Sequence, residues 1–256
     1  MKQEIIINWL KEYASTSKTN GFVVGVSGGI DSAVVSTLCA MTGLPVIVLN
    51  MPIRQTTAEY DRASEHINWL LKFPNVIAKE INLTSAFEAI EATLPEGIQD
   101  HLTMANTRSR LRMTTLYAFA CNNKMLVTGT GNKVEDFGVG FYTKYGDGGV
   151  DISPIADLMK SEVYALGAEL GIIDSILQAR PTDGLWADGR TDEDQIGATY
   201  DELEWAMTYL AKKNGIGMVE LERPTERQKE VLAIYTRFHN ANKHKMMPIP
   251  VCKINN

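Results

Sequence analysis

The stretch Gly21-Phe22-Val23-Val24-Gly25-Val26-Ser27-Gly28-Gly29-Ile30-Asp31-Ser32-Ala33 decides the fold. Residues 22–26 are apolar and rich in β-branched side chains, which suits a parallel strand buried on both faces. Ser27-Gly28-Gly29 breaks that run. Asp31-Ser32 then open a helical pattern, Ala33, Val34, Val35, Leu38 and Met41, which stops at Gly43. A strand, a glycine turn and a helix start together make an anion site. Free backbone N–H groups and the positive end of the helix dipole face one point there. The glycines let phosphate oxygens approach the backbone and tolerate positive φ. Asp31 beside a phosphate is repulsive by itself, so the loop implies a divalent cation between them, with Mg²⁺ the expected ion.

Two commoner loops are excluded. The Walker pattern needs Gly-Lys, and no such pair occurs in the chain. The dinucleotide fingerprint needs a second glycine where Ser27 stands. Bulk properties fit a globular enzyme: 256 residues, 45% hydrophobic and 22% charged. A net charge of −6 argues against nucleic acid as a partner. Cys39, Cys121 and Cys252 are far apart and lack metal-ligand spacing, as expected of a cytoplasmic protein. No apolar run approaches ~20 residues, so no membrane span is expected. The start, Met1-Lys2-Gln3-Glu4, leads into an amphipathic segment rather than a signal peptide.

Outward from the loop, strands and helices alternate. Residues 3–17 read as a helix with Ile5, Ile6, Trp9, Leu10 and Tyr13 on its inner face. Strands are expected at 44–50, 75–81 and 124–129, with helices at 56–72, 83–94, 106–121 and 161–170. In the 56–72 helix, Tyr60, Ala63, Ile67, Leu70 and Leu71 point inward. This order predicts a doubly wound α/β fold: a mainly parallel sheet flanked by helices, with ligands beyond the carboxyl ends of the strands. Residues 1–256 are expected to form a single domain, with 1–190 as nucleotide-binding core and 191–256 as a helical extension. In that extension Ile196, Tyr200, Leu203, Ala206-Met207 and Leu210 read as core packing.

Several polar segments are candidates for function. Met51-Pro52-Ile53-Arg54 ends a strand and is either a nucleotide contact or a plain exit loop. Arg108, Arg110 and Arg112 are either a solvated basic face or an anion grip. The glycine-rich loop at 140–151 suits a flap over a ligand. Lys160, at a helix start where the dipole disfavours cations, implies an anion nearby.

Residues 25–32 resemble the pyrophosphate loop of the N-type ATP pyrophosphatases. That run, the arginine segment 106–113, Gly129-Thr130-Gly131-Asn132-Lys133, Thr143-Lys144-Tyr145-Gly146-Asp147-Gly148-Gly149, Asp151, Lys160 and Pro181-Thr182-Asp183-Gly184-Leu185-Trp186 occur in the order seen in ammonia-dependent NAD⁺ synthetases. Thr191-Asp192-Glu193-Asp194 and His244-Lys245 are similar to that family too. The resemblance spans nearly the whole chain and implies an adenine nucleotide alpha-hydrolase-like fold.

It implies ATP on Gly25, Val26, Ser27, Gly28, Gly29, Ile30, Asp31 and Ser32, with Thr130, Lys160 and Thr182. It implies Mg²⁺ on Asp31 and Glu135, and deamido-NAD⁺ on Arg110, Lys144, Asp151, His244 and Lys245. The family has seven residues between acidic ligand and loop lysine, whereas Glu135 and Lys144 enclose eight. Either Glu135 or Asp136 is therefore the ligand, with Glu135 preferred for its spacing from Thr130.

The implied reaction is adenylation of a nicotinate carboxylate by ATP, with loss of pyrophosphate. Ammonia then displaces AMP and leaves the nicotinamide. Asp31 and Lys160 would serve the first step, and Asp147 or Asp151 would take a proton from ammonium in the second. The glutamine-hydrolysing domain of other relatives has no room before residue 20, so ammonia is the implied donor. A homodimer is also implied. The alternatives are another N-type enzyme, such as a tRNA-thiolating one or a different amide ligase, and a non-catalytic ATP-binding module.

Overall fold

The computed structural model describes residues 1–182, 191–215 and 222–254. Its first half alternates as expected: α1 (Lys2–Thr16), β1 (Phe22–Gly25), α2 (Ile30–Met41), β2 (Val46–Asn50), α3 (Thr57–Leu70), β3 (Val76–Glu80), α4 (Thr84–Thr93), α5 (His101–Asn123) and β4 (Leu126–Val127). A π-helical turn (Val134–Val139) follows, then α6 (Lys160–Glu169), α7 (Asp174–Leu177), α8 (Asp192–Ile196), α9 (Tyr200–Asn214) and α10 (Glu226–Met246). No helix among the described residues is long and apolar enough to cross a membrane.

All pairings are parallel, and the strand order is β3-β2-β1-β4. Side chains of β1 and β2 alternate between two cores, as the two-residue period of a strand requires. Phe22, Val24, Val46 and Val48 join α1, α2 and α6 on one face. Val23, Ile47 and Leu49 join Phe87, Met113 and Leu116 of α4 and α5 on the other. A third cluster, away from the sheet, packs α9 and α10 on the π-turn through Val134, Val139, Leu203, Val231 and Tyr235. After β1 the chain winds outward to β3, then returns to place β4 on the other side of β1. That reversal opens a crevice at the carboxyl end of β1, beside the glycine loop.

Several local expectations shift. The inner face of α1 is Ile6, Ile7, Leu10 and Ala14, while Ile5 (69% exposed), Trp9 and Tyr13 face out. Two apolar stripes compete on this helix; Ala14 allows close contact with α2, and the larger Trp9 and Tyr13 rings pack against each other at a tilt instead. β4 is shorter than expected because Lys124 takes a left-handed conformation as the cap of α5. That helix starts earlier, at an Asp100 side chain accepting from Thr103 N.

On α3 the buried positions are Glu59, Ala63, His66 and Leu70, with Leu71 exposed. His66 is fully enclosed, its Nε2 3.0 Å from Ser36 Oγ of α2 and its ring stacked on Trp69. Burial, opposed by a backbone bond to Ala33, pushes the imidazole down to about 4. The unfolded chain therefore takes up this proton first, near 6.5, so stability is full above that pH and is lost as pH falls toward 4. The gap corresponds to roughly 3 kcal/mol. We expect urea unfolding of the wild type, compared with His66→Leu, to show this extra acid loss between pH 6.5 and 4. Identical pH slopes for the two proteins would refute it.

Candidate active site

Beyond the carboxyl end of β1, residues 26–29 turn across the sheet and α2 begins at Ile30. Gly28 has φ +84°, and a Cβ there would stand 2.7 Å from Glu59 O and 2.9 Å from Ala63 N of α3. Conformation and space both require glycine at this point. Ser27 N donates to Ser32 Oγ (3.2 Å), which in turn donates to Gly29 O (3.0 Å). Arg62 Nε, from α3, donates to Gly28 O (3.3 Å).

The loop floors a cavity of about 490 Å³. All of residues 25–32 line it, together with Thr130, Glu135, Lys160 and Thr182, so the implied ATP and metal residues converge. Of the implied deamido-NAD⁺ residues, only Lys245 lines it. Its Nζ donates to Gly140 O and Tyr142 O, tying α10 to the 140–151 loop. Arg110, Lys144 and His244 form a strip outside the cavity: Arg110 Nε donates to Lys144 O (3.2 Å), and Lys144 Nζ to His244 O (3.3 Å). Asp151 is also outside, accepting from Tyr117 OH (2.9 Å) and Val127 N (2.8 Å). Residues 183–186 lie outside the described residues.

At the centre is a buried ion cluster. Lys160 is 3% exposed, and its Nζ donates to Asp31 Oδ2 (2.6 Å) and Glu135 Oε1 (2.9 Å). Asn132 Nδ2 donates to the other oxygen of Asp31 (3.1 Å). Burial alone would neutralise Lys160, but the two carboxylates reverse this and hold it charged. Burial raises Asp31, with Lys160 opposing. At Glu135 burial is overcome by Lys160 and Tyr200, so its carboxyl falls below the usual range. Asp136 lines the cavity separately; burial, then the charges of Glu135, Asp147 and Asp31, push it up to about 8.

Two carboxylates converging on one cation fit Mg²⁺, which uses one or two protein carboxylates and completes its shell with phosphate and water oxygens. No group of three or more His, Cys, Asp or Glu suited to a metal occurs among the described residues.

The 140–151 loop is pinned over the cavity: Asp147 Oδ1 accepts from Ser109 Oγ (2.7 Å) and Thr143 N (3.0 Å), and Thr143 Oγ1 donates to Asn106 Oδ1 (2.6 Å). Met51 lines the cavity, whereas Arg54 turns to Glu88 and Glu91 on α4. The arginine segment splits. Arg110 is exposed, and Arg112 enters the cavity wall, where its Nε donates to Met51 O (3.0 Å) and Nη2 to Gln55 Oε1 (3.2 Å). Burial, then Arg108, lowers its guanidinium to about 10, still charged at neutral pH. Sequence reasoning weighed Arg112 only as one of three arginines in a basic face or anion grip, and it missed Glu59, Arg62 and the hydroxyl of Tyr200. Helical spacing separates Arg110 from Arg112, but nothing local says which one faces the sheet.

Lys160→Met would leave two buried carboxylates uncompensated. We expect a loss of about 3 kcal/mol or more relative to wild type at pH 7.5. Part of it should return at pH 5.5, where one carboxylate takes up a proton. Urea unfolding at both values checks this, and an equal loss at both would contradict the charge argument.

The family model for NAD synthase matches residues 3–248. An NH(3)-dependent NAD(+) synthetase of Alkaliphilus metalliredigens is 36% identical, covering 98% of each chain. Among solved structures, NMN synthetase from Francisella tularensis is similar with a TM-score of 0.85 and 33% identity, covering 99% of this chain and 98% of that one. The NH3-dependent NAD synthetase of Campylobacter jejuni is similar with a TM-score of 0.78 and 25% identity, covering 98% and 97%. With the glycine loop, the buried Lys160 cluster and the parallel sheet all in place, the chain belongs to the NAD synthase family.

Proposed function

We infer that this chain amidates deamido-NAD⁺ with ammonia to give NAD⁺, consuming ATP and releasing AMP and pyrophosphate. The observation that carries this is the single cavity in which the glycine loop meets Lys160, Asp31 and Glu135. A phosphate loop with a buried cation beside it suits attack on the α-phosphorus, where catalysis is alignment and charge neutralisation.

In this proposal the N–H groups of residues 27–29 and the start of α2 hold the β- and γ-phosphates. A nicotinate oxygen attacks the α-phosphorus, the bond from that phosphorus to the bridging oxygen breaks, and pyrophosphate stays in the loop. Lys160 pairs with the negative oxygens of the pentacoordinate phosphorus, and Thr130 and Thr182 complete the ATP site. Asp31 and Glu135 would hold Mg²⁺, which supplies neutralisation of phosphate charge. Ammonium gives a proton to a cavity acid, the ammonia so formed attacks the adenylate carbonyl, and the nitrogen sheds a second proton to solvent as AMP is expelled. Asp147 suits that acceptor better than Asp151, because it faces the cavity and burial raises its carboxyl. The Arg110–Lys144–His244 strip, with Asp151 nearby and Lys245 at the rim, suits the anionic dinucleotide outside the ATP pocket. The same reading carries a homodimer and a cytoplasmic location; the latter is supported by free cysteines at 39, 121 and 252.

A second substrate is favoured by the likeness to the Francisella protein: nicotinate mononucleotide, giving NMN by the same chemistry. We expect NAD⁺ and AMP in equal amounts with deamido-NAD⁺ and ammonium, and for nicotinate mononucleotide a kcat/KM at least about tenfold lower than for deamido-NAD⁺, which equals the loss of one good contact. The reverse preference would select the mononucleotide. ATP turnover with neither acceptor would refute both substrates.

A further inference from the structure

Tyr200 stands at the start of α9, in the part of the chain that packs away from the sheet. Its ring is 5% exposed and belongs to the third apolar cluster. It does not line the cavity. Its hydroxyl nonetheless donates to Glu135 Oε1 at 2.6 Å, and Asp192 Oδ2 lies 3.3 Å away. The face of the same ring lies 4.6 Å from Lys160 Nζ. One side chain thus touches two of the three charged groups at the centre of the site.

We propose that Tyr200 is a positioning residue, holding the Glu135 carboxylate for the divalent cation through a hydrogen bond from outside the cavity. The proposal rests on Asp31 and Glu135 being the metal ligands. Packing alone asks only for an aromatic ring at this position, and phenylalanine would satisfy the apolar cluster equally well. A buried hydroxyl costs desolvation unless bonded, and here its bond ends on a carboxylate at the short distance typical of a charged acceptor. Glu135 sits on a π-helical turn, a local widening of the helix, and has three side-chain torsions to fix. With Oε1 held by both Tyr200 and Lys160, the carboxylate keeps one orientation whether or not Lys160 shifts toward a phosphate. Groups in this outer position raise metal affinity about 10- to 100-fold in other sites.

The test is Mn²⁺ binding to the full chain with α,β-methylene-ATP, read from the paramagnetic signal of free Mn²⁺, so that no turnover is needed. Tyr200→Phe should bind Mn²⁺ at least about tenfold more weakly than wild type, with no further loss when added to Glu135→Gln. Its activity deficit should shrink as Mg²⁺ is raised. Wild-type affinity in Tyr200→Phe beside weak binding in Glu135→Gln would overturn the proposal and leave the metal assignment standing. An equal loss from Tyr200→Phe in both backgrounds would mean a purely structural role and would also overturn it. Unchanged affinity in both Glu135→Gln and Asp31→Asn would overturn the metal assignment and the proposal together. Should the phenylalanine protein not fold, trifluorotyrosine at position 200 keeps the shape and alters the donor. Unaltered Mn²⁺ affinity there would likewise overturn the proposal.

Discussion

The ammonium of Lys160, buried between Asp31 and Glu135, is the contact on which the site depends. It joins the first turn of α2, the π-turn after β4 and the start of α6, segments separated by 129 and 25 residues. Moving an ammonium and two carboxylates out of water costs several kcal/mol per ion, and only close geometry with additional hydrogen bonds offsets it. Asn132 and Tyr200 supply those bonds. The cluster keeps one more carboxylate than ammonium, and Asp136 and Asp147 add acid to the same cavity wall. The spare carboxylate of that cluster would repel a triphosphate beside it, and a divalent ion between them would relieve the repulsion.

The sheet topology explains why the cluster can form at all. β1 pairs with β2 on one side and β4 on the other, so the chain segments leaving β1 and β4 diverge around a crevice. The glycine loop leaves β1 at that crevice, and the segment bearing Asn132 and Glu135 leaves β4 on its far side. The third apolar cluster then brings α9 against the π-turn, which places the Tyr200 hydroxyl behind Glu135. A helical region that packs away from the sheet thereby acts on the centre of the site.

Legibility in the sequence followed the range of the interaction. Phe22 to Gly25 and Val46 to Asn50 read correctly as buried parallel strands because their apolar runs are local and unbroken. Gly28 read correctly because its backbone demand is local. The inner face of α1 did not, since Ile5 and Ile7 are equally apolar and only packing on α2 chooses between them. His66 was invisible as a core residue because its partner, Ser36, is on another helix. Arg110 and Arg112 differ by two positions on one helix, a rotation that only the docking of α5 against β1 and β4 resolves.

By itself the sequence determined the alternation of strands and helices, the glycine loop with its anion-binding geometry, and the order of segments that marks the NAD synthase family. These follow from short-range periodicity, backbone conformation and residue identity, all of which are written along the chain. Only the tertiary structure decided that Lys160 faces two carboxylates, that Arg112 rather than Arg110 enters the cavity wall, that Asp151 is turned to β4, and that Tyr200 reaches Glu135. Those are contacts between segments far apart in sequence, selected by how helices rotate and dock to close-pack their cores, and no local pattern encodes that rotation.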